Sequence, residues 1–254
     1  MAWKSYEELA WTDQYLAGPE EYREEAHGFV EAIRQAHRGD PRTLLHLGSG
    51  AGNHDLHFKE HFQVTGVDIS GGMLQQARAL NPDVEYLLAD MRVLDLNRRF
   101  DVVVIPESVM YMTTIDDVRR VIRQAASHLN PGGVLLIVTH TREEFRENNF
   151  AYTGEGPDVH ITLLENNYRV SEETYEAVLV YLIRRNGQLT VETDVHICGL
   201  FAHQQWLDLF AETGLSTPTE KRHDRAYDRF VLNDGTYPLT VFLCRNTGGP
   251  EVIR

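Results

Sequence analysis

Three glycines within five residues raise the first chemical question of this chain. The run Leu44-Leu45-His46-Leu47-Gly48-Ser49-Gly50-Ala51-Gly52-Asn53 passes from an apolar stretch into a glycine turn. Glycine lets such a turn tighten and lets backbone N–H groups approach a ligand that a side chain would block. Twenty residues beyond Gly48, Val67-Asp68-Ile69 ends the next apolar run. A carboxylate at such a strand end can hold both hydroxyls of a ribose. A pyrophosphate-binding turn wants a third small residue at the position of Asn53, so the pattern favours a nucleoside ligand without a diphosphate. Candidate proton-handling groups lie further along: His196 and His203 as bases, Tyr111 as an orienting hydroxyl, with Glu107 and His140 behind them. Each has a plainer reading, since a lone histidine at a strand end is more often a surface or hydrogen-bonded core residue. The acidic run 143–147 reads as a solvated helix face.

These groups need elements to position them. Apolar runs at 44–47, 64–69, 84–88, 102–105 and 134–138 are each followed by a helix-like stretch. The fourth of these runs, Val102-Val103-Val104-Ile105, is continuously apolar, as expected of a parallel strand covered on both faces. The pattern predicts a parallel sheet with helices on both sides. After residue 142 the grammar changes. Strands are expected at 160–170, 175–185 and 189–200, with Asn186-Gly187 as a hairpin turn. In 188–197, Leu189, Val191, Val195 and Ile197 mostly alternate with polar residues, as in a sheet with one wet face. A helix at 202–213, capped by Gly214, and a last strand at 239–244 complete the series. Residues 5–38 read as helical, broken at Gly18-Pro19.

Bulk properties narrow the function. The 254 residues hold 24 Lys and Arg against 38 Asp and Glu, a formal net charge of −14. Nucleic-acid binders gain affinity by neutralising phosphates, so this balance argues against one. Cys198 and Cys244 follow no metal-ligand spacing, and no metal is expected. No run approaches the roughly 20 apolar residues of a membrane span, and the protein is expected to be soluble and cytoplasmic.

Residues 43–140 resemble the class I S-adenosylmethionine-dependent methyltransferases, motif after motif in order. Leu-Gly-Ser-Gly-Ala-Gly at 47–52 resembles the first motif. Gly66-Val67-Asp68-Ile69-Ser70, with Met73-Leu74 and Ala77-Arg78, resembles the second, and Leu88-Ala89-Asp90-Met91 the third. Phe100-Asp101-Val102-Val103 and Asn130-Pro131-Gly132-Gly133 match the entries to the fourth and fifth strands. A narrower likeness, to N-methyltransferases acting on amino sugars of sugar nucleotides, lies in Glu21-Tyr22-Arg23-Glu24-Glu25-Ala26, Val195-His196, Gly199-Leu200-Phe201 and Trp206. Three departures stand out. His46 replaces the acid that helps to hold the methionine end of the cofactor, a part Glu107 could take, unless His46 is a purely steric substitute. Tyr111 and Trp11 stand roughly where the amino-sugar group has His and Tyr.

The resemblance implies a Rossmann-like α/β fold with a mostly parallel seven-stranded sheet and an antiparallel β insertion after the fifth strand. The expected organisation is a helical lid at 1–40, a cofactor domain at 41–142 and 201–246, a substrate-covering insertion at 143–200 and a flexible tail at 247–254. It also implies S-adenosylmethionine as cofactor, held by Gly48, Ser49, Gly50, Gly52, Asp68, Ile69, Met73, Asp90, Met91 and Pro106, with Tyr15 and Tyr22 brought in by the lid. His196, Tyr111 and His203 are the catalytic candidates. The reaction is methyl transfer to an amine or hydroxyl of a small molecule, possible acceptors being a sugar nucleotide or other secondary metabolite, and a homodimer is the assembly considered. The alternatives are a non-catalytic cofactor-binding protein on the same scaffold and an NAD(P)-dependent oxidoreductase. Deleting residues 1–28 is expected to weaken S-adenosylmethionine binding while leaving a folded core; unchanged affinity by calorimetry would refute the lid.

Overall fold

The computed structural model describes residues 3–224, 227–233 and 235–248; the expected tail beyond 248 lies outside them. Five parallel strands follow the apolar runs: β1 (Thr43–Leu47), β2 (Gln63–Asp68), β3 (Glu85–Leu88), β4 (Phe100–Pro106) and β5 (Leu129–Thr139). Two more, β10 (Thr219–His223) and β11 (Leu239–Arg245), complete a seven-stranded sheet in the order β10-β11-β5-β4-β1-β2-β3, with β11 antiparallel to its neighbours. Strand order reverses between β1 and β4, and ligands of such sheets bind outside the carboxyl ends at that crevice.

Periodicity explains the layering. In β1, Leu45 and Leu47 face the cluster that includes Val118 and Ile122 of α5 (Ile115–Ser127) and Trp206 and Phe210 of α6 (His203–Glu212). Leu44 faces the other side, with Phe29, Val30 and Ile33 of α2 (Arg23–Ala36). Strands buried on both faces need continuous apolar sequence, which β4 supplies.

The insertion is a second, four-stranded antiparallel sheet, β6 (Asn148–Gly156), β7 (Val159–Arg169), β8 (Thr174–Arg185) and β9 (Gln188–Gly199), paired in chain order. Its inner face carries Ile161, Leu163, Tyr175, Leu179, Tyr181 and Ile183 into the same cluster as α2. Four expectations need correction. The insertion has one strand more than its sequence suggested, because β6 is rich in polar residues and glycine. A Cβ added at its Gly154 would sit 2.0 Å from the Tyr15 carbonyl oxygen, so close approach rather than β propensity selects that residue. The polar β10 was likewise missed. The run 143–147 forms no helix; Glu144 accepts a bond from Thr240 and pairs with Arg222. In β9 the alternation is inverted: Leu189, Val191, Val195 and Ile197 are exposed, whereas His196 is buried and Glu192 and Asp194 are partly covered.

The N-terminal segment explains that inversion. It runs through turns and short helical pieces at Ala10–Thr12, α1 (Asp13–Leu16) and Pro19–Tyr22 before α2, broken at Gly18 as its sequence suggested. It lies between the two sheets. Lys4 Nζ pairs with Glu192, and the Ser5 amide donates to Asp194 at 2.8 Å. On its other side, Ser70 Oγ donates to the Tyr6 carbonyl at 2.6 Å, and the Glu7 carboxylate accepts from the Gly71 and Gly72 amides that open α4 (Gly71–Leu80). The polar face of β9 is therefore wetted by protein rather than solvent.

His140, just past β5, belongs to this interior. Its Nδ1 lies 2.9 Å from the Pro238 carbonyl oxygen and its ring stands edge-on to Tyr237. Burial pushes its pKa down to about 4. The unfolded chain takes up that proton near pH 6.5, so stability contributed by the neutral ring is complete above that value and is lost as pH falls towards 4. Relative to His140→Leu, the protein is expected to lose about 2–3 kcal/mol between pH 7 and 4.5, read from urea unfolding at each pH. Parallel pH profiles would contradict this.

Candidate active site

At the carboxyl end of β1 the chain turns through Gly48, Gly50 and Gly52, with φ of +73°, +53° and +77°. The amides of Gly48 and Ser49 donate to the Val67 carbonyl at 2.7 and 3.0 Å, binding the turn to β2. A Cβ on Gly48 would lie 2.2 Å from that of Ser108, and one on Gly52 2.5 Å from Tyr86 Oη. Gly50 has nothing within 4 Å of the corresponding point, so its bare backbone faces open space. Asp68 stands beside it: Oδ2 accepts from the Gly50 amide and Oδ1 from the Ser70 amide, each at 2.8 Å. Burial raises the Asp68 carboxyl above its ordinary value despite these two amides.

The neighbouring strand ends are apolar and open. Ile69 is 54% exposed and Leu88, opposite Asp68 in register, 64%. The Met91 methyl lies 3.3 Å from where a Gly48 Cβ would be. Met73 is buried, its amide donating to the Ser70 hydroxyl that caps α4. Pro106 ends β4. Asp90 is chelated by Arg92, whose Nε lies 3.0 Å from both carboxylate oxygens and whose Nη2 lies 2.6 Å from Oδ2; this contact holds the carboxyl below its usual range. A bare, open glycine backbone, a ribose-competent carboxylate and exposed apolar strand ends fit an adenosyl ligand.

A second group lies where β9 meets the loop after β4. His196 Nε2 is 2.7 Å from Ser5 Oγ and 3.0 Å from Asp194 Oδ2, while Nδ1 is 2.9 Å from Tyr111 Oη. The carboxylate fixes the tautomer: Nε2–H donates towards Asp194, and Nδ1 accepts from the tyrosine hydroxyl. Tyr6 Oη bonds to Tyr111 Oη, and the Trp3 ring lies 4.6 Å from that of Tyr111. Burial lowers the pKa of His196 against the pull of Asp194, which favours the neutral ring at pH 7. Burial raises Tyr111 far above its ordinary value, so it keeps its proton.

A third group lies between α2, the start of α3 (Asn53–Phe58) and β10. Glu25 is approached at 2.8 Å by Nε2 of both His54 and His223; burial opposes its ionisation, but the two imidazoles outweigh it and hold the carboxyl down to about 2. Glu107 follows β4 with φ of +57°, and its Oε1 accepts from Tyr227 Oη at 2.6 Å. Burial and the Glu25 charge push its carboxyl up to about 7. Among the described residues no cation pairs directly with it. His46 is buried instead: Nδ1 lies 2.7 Å from Asp55 Oδ1, and Tyr86 donates to the other oxygen. It braces α3 from within and offers no face to a ligand.

The sequence-derived candidates thus separate. Tyr111 and His196 meet, whereas His203 is the first residue of α6, with Nε2 on Glu220 and its ring near Phe242 on the strand pair β10–β11, sharing no contact with them. Tyr22 reaches the glycine-turn helix, its ring 4.8 Å from that of His54. Tyr15 instead packs on the insertion, against Gly154 and Gly156. Trp3, Ser5, Tyr6 and Asp194, and the group of Glu25, His54, His223 and Tyr227, carried no spacing signal, because long-range packing assembles them. The alternation of Glu192, Asp194 and His196 was the one available clue.

The reversed strand order, glycine turn and Asp68 are similar to those of class I S-adenosylmethionine-dependent methyltransferase domains. Residues 44–133 match the family described as a methyltransferase domain. Within that class the chain is similar to amino-sugar N-methyltransferases. It is 36% identical over 115 residues to dTDP-4-amino-2,3,4,6-tetradeoxy-D-glucose N,N-dimethyltransferase of Saccharopolyspora spinosa, covering 44% of this chain and 46% of that protein. It is 26% identical over 200 residues to dTDP-3-amino-3,6-dideoxy-alpha-D-glucopyranose N,N-dimethyltransferase of Streptomyces fradiae, covering 77% and 78%. The chain spans about half the length of the curated relatives it matches above 30% identity. In fold it resembles a sugar N-methyltransferase from Streptoalloteichus, with a TM-score of 0.76, 24% identity and coverage of 92% and 91%.

Proposed function

We propose that this protein transfers a methyl group from S-adenosylmethionine to the amine of a small molecule, with an amino sugar of a sugar nucleotide as the favoured acceptor. The observation that carries the reading is the neutral His196, aimed through Tyr111 and anchored by Asp194 under the N-terminal segment. Asp68 and the turn 48–52 hold the adenosyl part, Ile69, Leu88 and Met91 flank the base, and Asp90 and Pro106 complete the site from the third and fourth strands. Tyr22 closes over the start of α3, and the unpaired carboxylate of Glu107 receives the ammonium of the cofactor's methionine end. S-adenosylmethionine supplies an electrophilic methyl on a sulfonium. The chain's own task is to orient the acceptor lone pair, exclude water and take up the amine proton.

His196 can accept that proton by way of the Tyr111 hydroxyl, and Asp194 stabilises the imidazolium that results. The N-terminal residues form the lid, and the insertion covers the acceptor. The similarity to N,N-dimethyltransferases supports an amine over a hydroxyl. Neither the oxidoreductase nor the non-catalytic reading gains a specific observation. The chain has no helix among the described residues long and apolar enough to cross a membrane, and a cytoplasmic location fits its two free cysteines.

The test is turnover of S-adenosylmethionine with paired sugar nucleotides bearing an amine or a hydroxyl at the same carbon. S-adenosylhomocysteine should form with the amine alone. Asp68→Ala should weaken cofactor binding by roughly 1.5–3 kcal/mol. His196→Asn should lower kcat about 10²-fold with little change in cofactor affinity. Turnover of neither sugar, in a protein that binds the cofactor, would overturn the reading.

A further inference from the structure

Away from the methyl-transfer site, one group of side chains converges with no bond among its members. His27 of α2 and the pair Glu60-His61, in the turn behind α3, bring one ligand atom each within 4.8 Å of one another. The rings of His27 and His61 stand edge-on, their centroids 5.9 Å apart. Both histidines are half-buried and Glu60 is exposed, so an ion from solvent can reach them. The backbone beneath is held firmly. Phe58 and Phe62, which flank the pair, are buried in the cluster that also takes Ala26, Phe29 and Val30 of α2. The Glu60 and His61 amides donate to the His57 and Phe58 carbonyls at 3.2 and 2.9 Å, closing the turn. Tetrahedral ligands on bonds of ~2.0–2.1 Å stand ~3.4 Å apart. Side-chain rotation alone covers the difference.

The donor chemistry selects the occupant. Arg34 Nη2 lies 3.4 Å from His61 Nδ1. A guanidinium only donates, so this ring nitrogen presents a lone pair, and the contact is too long to hold it strongly. A third imidazole adjoins the group: the His57 ring is 6.2 Å from that of His27. Its Nε2 donates to the Pro19 carbonyl at 2.8 Å, which leaves Nδ1 buried without a partner. Buried acceptors rarely lack a donor, and a metal-bound water is a donor of the kind required. Glu60 repels an anion. Two imidazoles with one carboxylate suit zinc and its transition-metal neighbours, whereas calcium and magnesium prefer oxygen ligands. Three protein ligands leave a fourth position to water.

We propose that His27, Glu60 and His61 bind one divalent transition-metal ion, which staples α2 to the turn behind α3. Spacing along the chain does not mark the set, because His27 precedes Glu60 by 33 residues. The six residues of α3 put ~9 Å of helix between this site and the glycine turn. At the turn end, His54 of α3 already meets Glu25 of α2. The ion therefore fastens the far end of a helix pair whose near end lies against the cofactor turn. The site needs neither cofactor nor acceptor, so the inference is independent of the reaction assigned above.

The full chain, freed of any histidine tag and stripped by chelator, should bind one Zn²⁺ per copy in calorimetry. Zinc at about 100 times its dissociation constant should raise the melting midpoint by roughly 5 °C, and Mg²⁺ should not. His27→Gln and His61→Gln should each weaken zinc binding by roughly 100-fold, and Glu60→Gln by about tenfold. Melting in chelator should match the wild type, which separates a lost ligand from a lost fold; Glu60→Gln and Arg34→Gln, both at exposed positions, decide the matter if a histidine variant fails to fold. Arg34→Gln should tighten binding by removing the competing cation, while His203→Gln, outside the group, should leave it unchanged. Absence of stoichiometric zinc binding would overturn the proposal. So would zinc binding that survives the histidine and Glu60 substitutions, or binding that weakens in Arg34→Gln.

Discussion

Asp194 is the point at which three separate parts of the molecule become one site. A largely covered carboxylate needs donors, and this one finds them in the amide and hydroxyl of Ser5 and in the ring of His196. Burial resists its ionisation, but the Ser5 bonds and His196 prevail, so it remains an anion. The Ser5 bonds fasten the N-terminal segment to β9. The His196 bond sets the tautomer that lets Nδ1 accept from Tyr111. Replacing Asp194 would therefore loosen the N-terminal segment and disorient the His196 ring together.

The same segment grips the cofactor side, where Tyr6 and Glu7 satisfy Ser70, Gly71 and Gly72. Through Ser70 it adjoins Asp68, which holds the adenosyl part in the proposed function. Behind the turn, polar groups are divided into two compartments. His46, Asp55, Tyr86 and Asn81 form a closed set that braces α3. Glu25 has two imidazoles, whereas Glu107 has a single tyrosine hydroxyl and an anionic neighbour. That asymmetry is why the proposed function gives the cofactor's ammonium to Glu107 and not to His46.

Much of this was legible in the sequence where local chemistry decides the outcome. The parallel strands of the large sheet follow apolar runs, and positive φ selects Gly48, Gly50 and Gly52. Legibility failed where distant parts decide. β6 is a strand through its long-range ladder with β7 and carries glycines where Tyr15 comes close, and β9 turns its polar residues inward because Lys4 and Ser5 await them. His203 and His196 look alike along the chain, since each is a histidine near the end of an element. Only the fold shows that one meets Tyr111 and the other an acid on the far strand pair. Reading β9 as a strand with one solvated face was right in period and wrong in direction, because period alone assigns no side.

The bond between Ser5 and Asp194 joins residues 189 positions apart. Closing so large a loop costs chain entropy before any contact repays it. During synthesis the first segment leaves the ribosome early but has no docking partner until β9 has followed. The segment around Ser5 can therefore dock only after β9 has formed, and until it does the polar side of β9 and the end of β2 stay exposed together.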